Sequence, residues 1–262
     1  MKVGLCTSPE NATLARDAGF DYIEGNVQGL LVAEQSDEFF AGHLKAARGA
    51  VLPITAANCF LPGTLKCVGP DVDEDRLVRY AETAFRRAQE AGIRLIVFGS
   101  GGARQIPEGF SRDEAHDEML AFLCRIVPLA QAHGVVLVLE SLNSQECNFI
   151  NSLAEGAAFV TEIDHPHFRL LVDIYHMLME GEAPGEIVKY GAWIQHAHVA
   201  ELNGRFAPGT SGEDFGPYLR ALKKIDYRGT ISFECNWKRQ LSEEGASSVR
   251  SFREQLQRAG LE

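Results

Sequence analysis

The sequence predicts an α/β chain folded as one (β/α)8 TIM barrel, a single domain over residues 1–262. Three observations lead there. Short apolar runs alternate with longer charged, periodic stretches along the whole chain, and eight such units share 262 residues, about 33 each, the size of a βα repeat. No proline- or serine-rich linker divides the units, and no segment is low in complexity. The rival architecture, an open doubly wound sheet, carries a glycine-rich turn after its first strand, whereas "CTSPENAT" (6–13) has no glycine.

The elements follow in order. "VGLC" (3–6) is expected as the first strand, and the opening "MKVGLC" reads as a strand starting at once and not as a targeting segment. "DYIEG" (21–25) and "PITAAN" (53–58) are strands two and three, with Ser36 placed as a helix N-cap between them. A helix over 73–91 stops at Gly92 and feeds strand four, "RLIVFG" (94–99). Ser111 caps a helix over 111–133, Gly134 ends it, and "VVLVLE" (135–140) is strand five. A helix over 152–163 leads to "FRLLVD" (168–173), then come "WIQHAHV" (193–199), a helix over 215–225, "TISFE" (230–234) and a helix over 242–259. The order helix, glycine, apolar run recurs in "EAGIRLIVF", "AHGVVLVLE" and "DAGFDYIEG".

A formal charge of −11 and a pI near 5.2 argue against a nucleic-acid surface, which needs a basic field, and leave metal cations or neutral polyols as ligands. The six cysteines are scattered with no CxxC pair, the pattern of reduced thiols in a cytoplasmic protein. No apolar stretch reaches the roughly 20 residues that span a bilayer, so no membrane partner is expected.

In such a barrel the active site lies where the strands' C-terminal ends open into loops. Strand five ends in Glu140, strand six in Asp173, strand seven carries His198 and strand eight ends in Glu234. Each closes a run too apolar to hold an unpaired charge cheaply. By strand alternation Glu140 shares its face with Val138 and Val136, and Asp173 shares its face with Leu171. If those faces point inward, three carboxylates and an imidazole converge, and a cation is the simplest compensation. An oxygen-dominated set suits one Mn²⁺, Mg²⁺ or Co²⁺ better than a structural zinc. His196 lies one layer deeper on the same face and reads as a hydrogen-bonded core histidine. His165 and His167 precede a strand and fall at the opposite end.

Four motifs extend the pattern: "ESLNSQECNFINS" (140–152), "VDIYHM" (172–177), "HAHVAELNGRFAPGTSG" (196–212) and "ISFECNW" (231–237). Together they resemble the xylose isomerase-like barrel family of sugar isomerases and epimerases, nearest its ketose 3-epimerase and hydroxypyruvate isomerase branches. The resemblance implies that Glu140, Asp173, His198 and Glu234 ligate the metal and that Glu140 and Glu234 also act as acid and base. It implies that Glu146, His176 and Arg205 hold the substrate. The spacing from His198 to Arg205 is one longer than in many ketose 3-epimerases, while His198 stands where hydroxypyruvate isomerases tend to carry Gln. The chain thus mixes features of the two branches, and the choice of substrate stays open.

The activity implied is isomerisation or epimerisation of a small keto sugar or related hydroxy-carbonyl compound through an enediolate. A dehydratase of an inosose-like polyol ketone would use the same enolate. An endonuclease IV-like phosphodiesterase would need further histidines and a basic face, and a non-catalytic binding protein would not need two glutamates beside the metal. Self-association into a homo-oligomer is compatible with the sequence. Three further features carry expectations of their own. "FGSGGAR" (98–104) reads as a tight turn, with ligand contact by its backbone and Arg104 as the alternative. Lys238 and Arg239 read as solvated, with a phosphate contact as the alternative. Phe60, Phe98 and Trp237 are candidates for an apolar wall against a sugar, with simple packing as the equal alternative.

Overall fold

The computed structural model describes residues 1–262. Eight parallel strands close on themselves in sequence order, β1 (Val3–Cys6), β2 (Tyr22–Asn26), β3 (Ile54–Asn58), β4 (Leu95–Phe98), β5 (Val136–Glu140), β6 (Phe168–Asp173), β7 (Ile194–Val199) and β8 (Thr230–Phe233). The seam pairs Val3 with Ile231 and Leu5 with Phe233. Every strand falls within a residue or so of its expected place, because each is a run whose outward face must meet a helix.

The helices are α1 (Ala12–Ala18), α2 (Asp37–Gly49), α3 (Glu74–Ala91), α4 (Gly101–Arg104), α5 (Arg112–Ala132), α6 (Leu153–Ile163), α7 (Ile174–Glu180), α8 (Gly185–Tyr190), α9 (Gly216–Lys224) and α10 (Leu241–Ala259), and the short α4 and α7 follow β4 and β6 at the barrel mouth. Ser36, Ser111 and Ser152 cap α2, α5 and α6 through their hydroxyls, and Gly92 ends α3 in the left-handed conformation. The short helices α1, α4, α7 and α8 carry too little periodicity to be read from sequence. No helix is long and apolar enough to cross a membrane.

The main core lies between strands and helices. Phe60 stacks on Phe85 and meets Phe98 edge-on, both pairs at 5.5 Å, and Phe60 and Phe98 are fully buried. They are packing residues on the outer face of the sheet, which corrects the expectation that they wall a sugar site. Inside the barrel the filling is divided. On the β4–β6 side Val97, Val138 and Leu171 form a separate apolar layer. On the side of β7, β8, β1 and β2 the interior is polar: Tyr22, Glu24, His196, His198 and Ser232 are all buried. Gly4 makes room there, since a Cβ on it would strike the Tyr22 ring.

Candidate active site

The four strand-end residues meet at the C-terminal mouth. Glu140 and Asp173 are the last residues of β5 and β6, His198 lies near the end of β7, and Glu234 follows β8 directly. His198 Nδ1 is 3.2 Å from Glu140 Oε1, 3.6 Å from Glu234 Oε2 and 4.0 Å from Asp173 Oδ2. One atom each from Glu140, Asp173, His176 and Glu234 also lie within 4.8 Å of one another. Strand alternation accounts for the convergence: these side chains continue the inward rows whose deeper members are Val138, Leu171, His196 and Ser232.

The hydrogen bonds decide which nitrogen of each imidazole faces the acids. Backbone N–H of Asn143 donates to His176 Nδ1 at 3.1 Å, so Nδ1 is an acceptor and the ring proton sits on Nε2. His176 Nε2 stands 3.5 Å from Asp173 Oδ2 and points into the site as a donor. His198 is held the other way round. Its Nε2 is 2.8 Å from Glu24 Oε1, so Nδ1 meets the acids with a proton or a cation between them. Asp173 Oδ1 accepts the N–H of Tyr175 at 2.7 Å, capping α7, while its Oδ2 is buried without a partner. Three carboxylates, one of them with an unpartnered buried oxygen, and one imidazole nitrogen form a donor set that fits a single hard or borderline divalent cation.

Charge in the site is uneven. Burial raises the Glu140 carboxyl, and neighbouring Glu234 raises it further. Burial acts on Glu234 in the same sense, but His198 and Arg205 outweigh it and hold this carboxyl well below its usual range. Burial opposes ionisation of Glu24 too, yet the two imidazoles keep it ionised. Burial would depress His198, and the charges of Glu24 and Glu234 reverse that and raise it.

Arg205 lies in the loop after β7 with φ +51°, a left-handed conformation uncommon away from glycine and frequent at functional sites. Its guanidinium pairs with Glu234, lies 3.2 Å from Glu146 Oε1, and stacks over the Tyr175 ring at 4.6 Å. Glu146 Oε1 also accepts from Asn143 Nδ2 at 2.9 Å, and the same amide nitrogen is 2.8 Å from His176 Nδ1. Glu146, His176 and Arg205 thus belong to one connected rim above the acids. Asn58, which the sequence reading passed over, donates to Glu234 Oε1 at 2.8 Å.

A cleft of 480 Å³ opens above these groups, lined in part by Gln28, Leu61, Leu142 and Asn236. One wall has almost no side chains: Gly63, Gly99, Gly101 and Gly102 line it. A Cβ on Gly99 would run into Glu140 Oε2, so a larger residue there would displace that carboxylate. The positive φ of this turn falls on Ser100, at +44°, and not on a glycine. Arg104 is fully buried and donates to the carbonyls of Phe98 and Ile150. Arg239 pairs with Glu243 and Glu244. Neither arginine faces the cleft. His196 is a core residue, bonded to Glu24 and Thr230.

Residues 12–257 match the family model described as xylose isomerase-like TIM barrel. An L-ribulose 3-epimerase of Methylomonas sp. (strain DH-1) is 34% identical over 228 residues, 84% of this chain and 75% of the relative. A D-psicose 3-epimerase of Agrobacterium fabrum is 30% identical, over 82% of this chain and 75% of the relative. The solved structure of a 3-keto-D-glucoside 4-epimerase from E. coli superposes with a TM-score of 0.81 at 23% identity, covering 97% of this chain and 99% of that one, a likeness of fold. The chain belongs to the xylose isomerase-like TIM barrel family.

Proposed function

We propose that the protein is a divalent-metal-dependent epimerase of a keto sugar, moving a proton at a carbon next to the carbonyl. The observation that carries this is the placement of Glu140 and Glu234. They reach the same point from β5 and β8, well separated around the barrel mouth. Epimerisation needs one group to take a proton from one face of a carbon and another to return it on the other face. Two carboxylates that approach one point from different strands fit that task. The epimerase relatives support this choice over a one-base isomerase.

Asp173 and His198 complete the cation's ligand set with the two glutamates. A divalent cation held by these residues would serve as a Lewis acid for the substrate's carbonyl. His176 Nε2–H and the Arg205 guanidinium donate to substrate oxygens, and Glu146 orients both from the rim. Arg205 is the only arginine or lysine lining the cleft and is already paired with acids. An uncharged sugar is therefore favoured over a phosphorylated one or a keto acid. A phosphate would bring two negative charges to an acidic cleft with no free cationic side chain.

The test is incubation in D₂O with uncharged ketoses and 3-keto-glycosides, using wild type, Glu140→Gln and Glu234→Gln at saturating Mn²⁺. Both variants should lose net epimerisation by roughly 10²–10⁴-fold. Each should still exchange deuterium into the epimer that faces the surviving carboxylate. Near-normal turnover by the double variant, or full wild-type activity after exhaustive chelation, would sink the proposal.

A further inference from the structure

Glu24 takes no part in the chemistry just proposed, yet it is fully buried beneath it in the middle of the barrel. Its Oε1 accepts from His198 Nε2 at 2.8 Å. Its Oε2 accepts from His196 Nε2 at 2.8 Å and from Ser232 Oγ at 2.6 Å. Tyr22 OH meets Ser232 Oγ at 2.7 Å, and Thr230 Oγ1 meets His196 Nδ1 at 2.9 Å. The corresponding depth on the β4–β6 side is filled by Val97, Val138 and Leu171. The fold alone therefore does not call for a carboxylate here, since apolar side chains of similar volume fill a barrel at less desolvation cost.

We infer that Glu24 is a positioning residue that fixes His198 with its proton on Nε2, so that Nδ1 is the nitrogen offered to Glu140, Asp173 and Glu234. An ionised carboxylate has only acceptor sites, so an imidazole nitrogen in contact with it must carry hydrogen, which leaves the lone pair to the other nitrogen. Carboxylates behind metal-bound histidines commonly set ring orientation and ligand strength in this manner, at a cost of 10–100-fold in metal affinity or activity when removed. Here one carboxylate serves two rings. It anchors His198 through Oε1 and ties that anchor to β8 through Ser232 on Oε2.

The inference rests on the proposed metal cluster, and the experiment separates the two. Cobalt(II) alone is titrated into metal-free wild type, Glu24→Gln, Glu140→Gln and Ser232→Ala against a competing chelator. The visible absorption of the bound ion and the melting temperature of each metal-free protein are recorded as well. Gln at position 24 has the shape of Glu but one acceptor and one donor group where two ring N–H groups need acceptors. Glu24→Gln should weaken cobalt(II) binding by 10–100-fold and change its absorption spectrum. Ser232→Ala, which leaves the Oε1–His198 bond alone, should bind within about threefold of wild type. Glu24→Gln with wild-type affinity and spectrum, while Glu140→Gln binds weakly, would overturn the role of Glu24 alone. Equal weak binding by wild type and Glu140→Gln would overturn the cluster itself. If Glu24→Gln does not fold, wild type labelled with ¹⁵N-histidine and loaded with ¹¹³Cd²⁺ decides the matter. Coupling of cadmium to His198 Nδ1, with hydrogen on Nε2, is expected. Coupling to Nε2 would refute the inference.

Discussion

Glu201→Gln is expected to loosen the loop that carries Arg205 without touching any group of the acid cluster. Glu201 is fully buried just after β7, and its carboxylate accepts four backbone N–H groups of its own loop: Gly209 at 2.8 Å, Ser211 at 2.5 Å, Gly212 at 3.1 Å and Glu213 at 3.4 Å. Its own N–H donates to the Phe206 carbonyl at 2.8 Å, one residue past Arg205. The side chain thus gathers residues 201–213 around one negative charge. Net hydrogen bonds to charged groups contribute about 1.5–3 kcal/mol each. The 3.4 Å contact counts for little, the Gln amide oxygen still accepts on one side, and freed amides of this partly exposed loop recover some solvation, so the expected loss is about 3–5 kcal/mol. Native domains have about 5–15 kcal/mol in hand, so a domain near the middle of that range keeps its fold after this loss. At roughly 2–4 °C per kcal/mol for a chain of this size, the melting temperature should fall by about 6–20 °C. Differential scanning calorimetry measures that, and amide exchange at Gly209, Ser211 and Gly212 should accelerate together. KM for a keto sugar should rise while cobalt(II) affinity stays near wild type, since Arg205 and not the metal set is disturbed. A melting temperature within 2 °C of wild type, or unchanged exchange at those amides, would show that the carboxylate does not hold the loop.

Gly99→Ala should lower turnover by roughly 10–100-fold with little change in melting temperature, because the new methyl displaces Glu140 Oε2 and small misplacements at a reacting centre cost that much; wild-type kcat would show that the carboxylate has room to move. Glu182 should make stability fall as pH rises. Burial, with the charges of Glu186, Glu180 and Glu155, raises its carboxyl to about 7. Its stabilising contribution is complete below the ordinary carboxylate pKa and is lost as pH climbs through about 7. Glu182→Gln should therefore gain on wild type between pH 5 and pH 8 in denaturant titrations, by about 1–2 kcal/mol once the partial exposure of the group is discounted. A pH-independent difference would remove Glu182 from the account.

The residues that were legible in the sequence share one property: their own neighbours along the chain betray them. A carboxylate that closes "VVLVLE" or "FRLLVD" stands out because the run before it must be buried. Glu24 sits in "DYIEGN", where the apolar run is too short to announce burial, and its partners His196, His198 and Ser232 lie at the far end of the chain. Glu201 is bound by backbone amides, which leave no mark on residue identity, so it passes for a loop acid. Asn58 carries no charge to raise the question of compensation. Arg104 misleads in the opposite direction: a cation in a glycine-rich turn suggests a ligand, but carbonyls of Phe98 and Ile150 already occupy it. Phe60 and Phe98 turn outward to the helices, and no local signal in the sequence tells which face of the sheet they take.

The seam between β1 and β8 has a kinetic consequence. It joins Val3 to Ile231, and closing a loop of nearly the whole chain costs roughly 5 kcal/mol in entropy. Contacts so distant in sequence form slowly and late, after local helix and strand pairs are in place. The polar bonds of the barrel interior straddle this seam: Glu24 on β2 reaches His198 on β7 and Ser232 on β8, and Asn58 on β3 holds Glu234. A chain with its first seven strands assembled would bring Glu140, Asp173 and His198 together but would still lack Glu234 and the bond from Glu24 to His198. Catalytic competence should appear in a single late step together with barrel closure, and not grow in proportion to the secondary structure already formed.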